Sequence, residues 1–196
     1  MPDVTADITI TLDGFASGEG QSAERPFGDL DPDRLHSWMF DHVEENAEER
    51  AAITKAGAYI MGRRMFGPDR GEWDLDWRGW WGEDPPYHAP VFVLAHRPRE
   101  SVEMQGGTVF HFVTEGIEPA LALAREAAGE RDVSIAGGPG TTNQYLAAGL
   151  IDELRLHVAP FVAGHGERIF DGAAGVELKP VSSRATPHVT HLVYRR

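Results

Sequence analysis

The stretch RDVSIAGGPGTTNQYLAAG, residues 131–149, decides the reading of this chain. Val133, Ile135 and Ala136 make a short apolar strand that runs into Gly137-Gly138 and then into a small helix. The glycine pair lets the backbone turn and approach a ligand where any Cβ would obstruct it. Pro139, Gly140, Thr141 and Thr142 open the helix, whose unpaired N–H groups and positive dipole end favour an anion. Either threonine hydroxyl is a further donor to the same oxygens. Many αβ units use such glycines only to pack tightly, so the turn alone leaves a structural and a phosphate-binding reading open. Its surroundings narrow the choice. No lysine follows Gly140, which excludes a triphosphate P-loop. A dinucleotide fingerprint would carry an acid about twenty residues on, at the far end of the next strand; Asp152 and Glu153 stand at its beginning instead.

Upstream, YIMGRRMF (residues 59–66) is a second strand that ends in glycine, here followed by two arginines. Planar guanidinium groups suit bidentate binding of phosphate. If both turns lie at one sheet edge, Gly137 to Thr142 supply backbone donors, and Gly62, Arg63, Arg64 and Met65 supply charge. Residues 90–96 form a continuous apolar run of the kind buried on both faces of a parallel sheet, ending in Ala95, His96 and Arg97.

Around these units the chain alternates strand and helix. Residues 4–12 alternate apolar and polar and end at Asp13-Gly14, a turn, while 16–30 read as a mobile loop able to lie over a site. Asp31-Pro32 is an N-cap followed by proline, and the apolar stripe of Leu35, Trp38, Met39 and Val43 predicts one helix carried on to Gly57. Strand 108–114 and helix 119–128 lead into the glycine-rich unit, and after Ile151 strands follow without helices. This pattern predicts an α/β fold: a three-layer αβα sandwich whose mixed central sheet has a mainly parallel core and antiparallel C-terminal strands. The composition, 41% hydrophobic and 25% charged, is that of one soluble globular domain over residues 1–196.

Several functions are excluded. The chain has no cysteine, so thiolate chemistry and Cys-ligated zinc are ruled out and a reducing cytoplasm is expected. No apolar run approaches the roughly 20 residues of a membrane span, and the N-terminus shows no signal pattern. A net charge of −13 argues against nucleic acid as a partner. His157, His165, His188 and His191 show no metal-site spacing, so no metal is expected. The insertion 67–89 carries Trp73, Trp77, Trp80 and Trp81, which either shield the site, meet a second subunit, or fold back on their own domain.

The run Thr11-Leu12-Asp13-Gly14-Phe15, then Met61-Gly62-Arg63-Arg64, Val91 to Arg97, Ile135-Ala136-Gly137-Gly138 and Gly149 to Leu154 resembles the dihydrofolate reductase-like superfamily. Within it, the chain is most similar to the branch typified by the reductase domain of riboflavin biosynthesis and its stand-alone relatives. The resemblance implies an NADPH-dependent reductase of a small pterin- or pyrimidine-like heterocycle or an imine, and a homodimer. It places Asp13 at the reaction centre, where a turn hydrogen bond is the alternative role, Gly14 and Phe15 beside the substrate, and Ala95, His96 and Arg97 against the adenosine part of the cofactor; Trp38 reads chiefly as core, with a place in the substrate cavity as the alternative. NADPH is expected over NADH because the arginines form the basic cluster at the strand ends, and no acid is placed for the ribose hydroxyls. A nucleotide-binding module of the same fold without turnover is the alternative.

Overall fold

The computed structural model of the chain describes residues 2–68 and 70–196. In chain order the elements are β1 (Val4–Thr11), β2 (Phe15–Ser17), α1 (Pro32–Phe40), α2 (Ala47–Ile53), β3 (Ala58–Gly62), α3 (Arg63–Phe66), β4 (Pro90–Leu94), β5 (Val102–Glu103), β6 (Val109–Val113), α4 (Ile117–Ala128), β7 (Val133–Gly137), α5 (Pro139–Ala147), β8 (Glu153–Ala159), β9 (Glu167–Arg168), β10 (Lys179–Ala185) and β11 (Thr190–Arg195). Among these residues the strands make one nine-stranded sheet, ordered β10-β11-β8-β1-β7-β3-β4-β6-β5, and a small β2-β9 ribbon. From β8 through β6 neighbours run parallel; β11 pairs antiparallel with both β8 and β10, and β5 with β6. This is the mixed sheet expected, with β1 and the glycine-rich β7 side by side near its centre.

The strand sequences explain the layering. In β4, Phe92 joins the core on one face of the sheet and Val91 and Val93 the core on the other, so an unbroken apolar run is what both faces require. One face is covered by α4 and α5, through Ala120, Leu121, Ala124, Tyr145 and Leu146 packed on Val4, Ala6, Ile60 and Ile135. The other is covered by α1 and by the tryptophan-rich segment. Trp73, Trp77 and Trp81 pack on Tyr59, Met61, Val91, Val93 and Phe110, Trp77 Nε1 donates to Phe66 O at 2.8 Å, and Trp81 stacks near Phe110 at 5.8 Å. The insertion therefore folds back on its own sheet, which removes these tryptophans as an argument for a subunit interface.

The single helix expected from Pro32 to Gly57 is two. Asp31 caps α1 as the sequence implies, its carboxylate accepting from the Asp33 and Arg34 N–H groups. The break comes from Asn46, whose buried Nδ2 donates to Trp38 O at 3.0 Å and His42 O at 2.8 Å and so satisfies carbonyls that end α1. No described helix is long and apolar enough to cross a membrane.

Candidate active site

Because β1, β7, β3 and β4 run parallel, their C-terminal ends share one edge, and the turns after them, at 12–14, 138–140, 63–66 and 95–99, lie side by side. Chain order reverses here: β3 leads outward to β4 and β6, and α4 then returns the chain to β7, between β1 and β3. Open α/β sheets bind ligands in the crevice at such a switch point.

The centre of the edge is the Gly137-Gly138 turn, whose peptide is cis. A Cβ built on Gly137, Gly138 or Gly140 would meet nothing within 4 Å, and Gly138 and Gly140 are accessible while Gly137 is buried. No side chain caps α5, and Gly140 is exposed at its tip. Bare backbone and a helix N-terminus therefore lie together, an arrangement that suits an anion. The threonines behave differently from expectation. Thr142 is wholly buried and its hydroxyl donates back to Gly138 O at 3.3 Å, turned away from the open side. Thr141 Oγ1 lies only 2.5 Å from where a Cβ of Gly62 would stand. Gly62 is thus required for contact between the two turns rather than for its dihedral, since its φ is −78°.

The two adjacent arginines part company. Arg63 lies 3.7 Å over the Trp73 ring and donates to Glu72 O at 3.1 Å. Arg97 pairs with the Glu72 carboxylate, and its carbonyl accepts from Trp73 Nε1 at 3.1 Å. Arg64 turns the other way, pairing with Glu167 of β9 while its carbonyl accepts from Gln21 Nε2 at 3.1 Å. Arg63 and Arg97 therefore converge at the Glu72-Trp73 corner, and Arg64 belongs to the opposite side of the crevice. Ala95 continues the sheet, donating to Val113 O, and His96 is exposed; Met65 is half-buried against the aromatic core. Asp69, a carboxylate that the sequence places within six residues of Arg63 and Arg64, lies outside the described residues.

On the β1 side Asp13 is a clasp. Its Oδ1 accepts from Thr11 Oγ1 at 2.6 Å and Ala163 N at 3.0 Å, and its Oδ2 from Gly164 N at 2.7 Å. Partial desolvation pushes its pKa up, but these hydrogen bonds outweigh it and hold the carboxyl down at about 2. The polar loop 164–167 is pinned by this clasp, by His165 Nε2 at 2.9 Å from Asp29, and by β9 pairing with β2. Gly14 adopts φ +88° and accepts from Ile169 N, and Phe15 lies under the Arg168 guanidinium at 5.2 Å. Asn143, three residues along α5 from Gly140, fastens residues 168–170 to that helix through Arg168 O and Phe170 N.

Trp38 takes the core place. It is 0% exposed, donates to Thr9 Oγ1 at 3.3 Å and packs on His157 and His191, so it fixes α1 to the sheet. Gln21, Glu72, Glu167 and Arg168 were not legible as site residues, since each is defined by a partner more than twenty residues away. Asn143 had a local signal: a polar side chain one helical turn beyond Gly140, on the face that Gly140 begins.

The RibD C-terminal domain matches residues 2–192. This chain belongs to that family. A putative riboflavin biosynthesis protein from Shewanella sp. PV-4 superposes with a TM-score of 0.69 at 22% identity, covering 99% of this chain and 98% of its own. The uncharacterized protein YyaP of Bacillus subtilis is 24% identical over 193 residues, 97% of this chain and 93% of that protein. The dihydrofolate reductase of Enterococcus faecalis, solved with NADP(H), superposes with a TM-score of 0.59 at 14% identity, over 99% and 96% of the two chains. The family and these neighbours give the RibD C-terminal chain a reductase-type, dihydrofolate reductase-like fold.

Proposed function

We propose that the chain is an NADPH-dependent reductase acting on a small pterin- or pyrimidine-like heterocycle or an imine. The observation that carries this is the edge itself: open backbone at Gly138 and Gly140 stands between a guanidinium corner at Arg63 and Arg97 and the ionised carboxylate of Asp13. Gly138 to Gly140 and the α5 N-terminus suit the pyrophosphate, and Arg63 with Arg97 the 2′-phosphate. Ala95 and His96 border the adenosine side. When bound, a reduced nicotinamide supplies the hydride, so no protein nucleophile is needed. Asp13, Gly14 and Phe15 then form the substrate side, where Asp13 holds the loop 161–164 in place and keeps a fixed negative charge.

That same ionised carboxylate favours a second reading. An acid held at about 2 is a poor proton donor near neutral pH, which suits a module that binds the nucleotide without turning it over. Following NADPH absorbance with pterin, pyrimidine and imine acceptors, beside NADPH binding alone, separates the two. Acceptor-dependent oxidation supports the reductase; binding with no oxidation across all three classes supports the module; neither binding nor oxidation removes both.

A further inference from the structure

At the opposite end of α5 from Gly140 the surface opens into a cavity of about 340 Å³, within the range over which proteins hold small molecules. Its lining is largely apolar. Leu146, at the end of α5, and Ile151, just before β8, are each 2% exposed, and Val176 and Leu178, on the way into β10, are partly buried against the same core. Two side chains of opposite charge, Arg196 and Glu177, line the same space. Gly149 seats the guanidinium: a Cβ there would stand 3.2 Å from Arg196 Cζ, and Arg196 Nη1 donates to the Gly149 carbonyl. Among the described residues Arg196 Nε and Nη2 donate to nothing, and neither Arg196 nor Glu177 belongs to an ion pair. A cation and an anion therefore share one apolar cavity without meeting each other. Standing apart costs them little, because exposed charges gain little by pairing. A ligand that carries both complementary charges can engage both and cover the apolar lining between them.

We propose that this cavity binds a small apolar α-amino acid, with its carboxylate on Arg196, its ammonium group on Glu177 and its side chain against Leu146, Ile151, Val176 and Leu178. A guanidinium offers a carboxylate two parallel donors, and burying a branched apolar side chain adds affinity in proportion to the area removed from water. Opposite charges with an apolar lining between them select the zwitterion over a plain acid or a plain amine of the same shape. The cavity lies a helix length away from the Gly138 to Gly140 edge, so this binding does not depend on which cofactor that edge takes, or on turnover there.

The test is a calorimetric titration of the full chain with L-leucine, with isocaproate, which lacks the amine, and with isoamylamine, which lacks the carboxylate. Wild type should bind leucine at least about tenfold more tightly than either analogue, as one charge-assisted contact allows. Arg196→Met should bring leucine down to the level of isoamylamine, and Glu177→Gln should bring it down to the level of isocaproate. Ala147→Trp, which fills the cavity from the end of α5, should abolish leucine binding. No saturable binding of leucine by wild type overturns the proposal, and so do equal affinities for the three ligands, because an apolar notch that reads no charge would treat them alike. Leucine binding that survives Ala147→Trp also overturns it, by placing the ligand elsewhere. Should Arg196→Met fail to fold, the exposed substitution Glu177→Gln decides: an undiminished preference for leucine over isocaproate overturns the site.

Discussion

Gly62 and Thr141 meet at the point where the two turns of the edge touch, and a single methyl tests whether that contact matters. Gly62→Ala puts a Cβ 2.5 Å from Thr141 Oγ1, an overpacking that costs about 1–3 kcal/mol and lowers Tm by roughly 2–4 °C per kcal/mol for a chain of this size. Adding Thr141→Ala should recover most of the loss in a thermal-denaturation cycle, a coupling that purely additive effects would contradict. At the arginines, Arg63→Ala should weaken NADPH by about one to two decades, as expected for a charge-assisted contact, and leave NADH nearly unchanged. Arg64→Ala should change both cofactors alike, since Arg64 pairs with Glu167 across the crevice. Titration of both variants with both cofactors checks this, and a selective NADPH loss in Arg64→Ala would contradict it. The sequence shows the two arginines as one cluster because it shows only adjacency. Residues 63–66 form a helical turn, and consecutive side chains on a helix point about 100° apart, so neighbours in the chain part in space.

At the scale of elements, the sheet was legible and its polar underside was not. The alternation in residues 4–12, the apolar run in 90–94 and the glycines after Ile135 carry the parallel core directly, because strand period and turn chemistry are local properties. The buried network beneath α1 is not local. His191 of β11 and His157 of β8 are cross-strand partners, with their Nδ1 atoms 2.8 Å apart, and His191 Nε2 lies 2.9 Å from Asn46 Oδ1. Three segments far apart in sequence supply that chain of contacts, and its Asn46 member ends the helix that periodicity alone would continue. Burial, and then the neighbouring His157, push the His191 pKa down to about 4. The unfolded chain therefore takes up a proton near pH 6.5 that the folded chain refuses until about pH 4, so stability should fall as pH drops through that window. Urea midpoints measured between pH 4 and 7 should decline toward acid, with a smaller decline in His191→Gln. A wild-type profile that is flat across the window would show that His191 is not the titrating element.

For the molecule as a whole, an acidic chain of net charge −13 gathers arginines at one corner of one sheet edge, where Arg63, Arg97 and Arg99 surround Trp73. The fold sets that placement: parallel strands bring the turns after β7, β3 and β4 into one row, and the tryptophan segment, tied down on its own sheet, supplies the wall. The row itself makes a definite statement about the cofactor, and a crystal structure of the chain with NADPH tests it most directly. The pyrophosphate should lie against Gly138 to Gly140 and the 2′-phosphate at Arg63 and Arg97. NADPH seated elsewhere, or crystals that never take it up while the purified chain also fails to bind it in solution, would contradict the account.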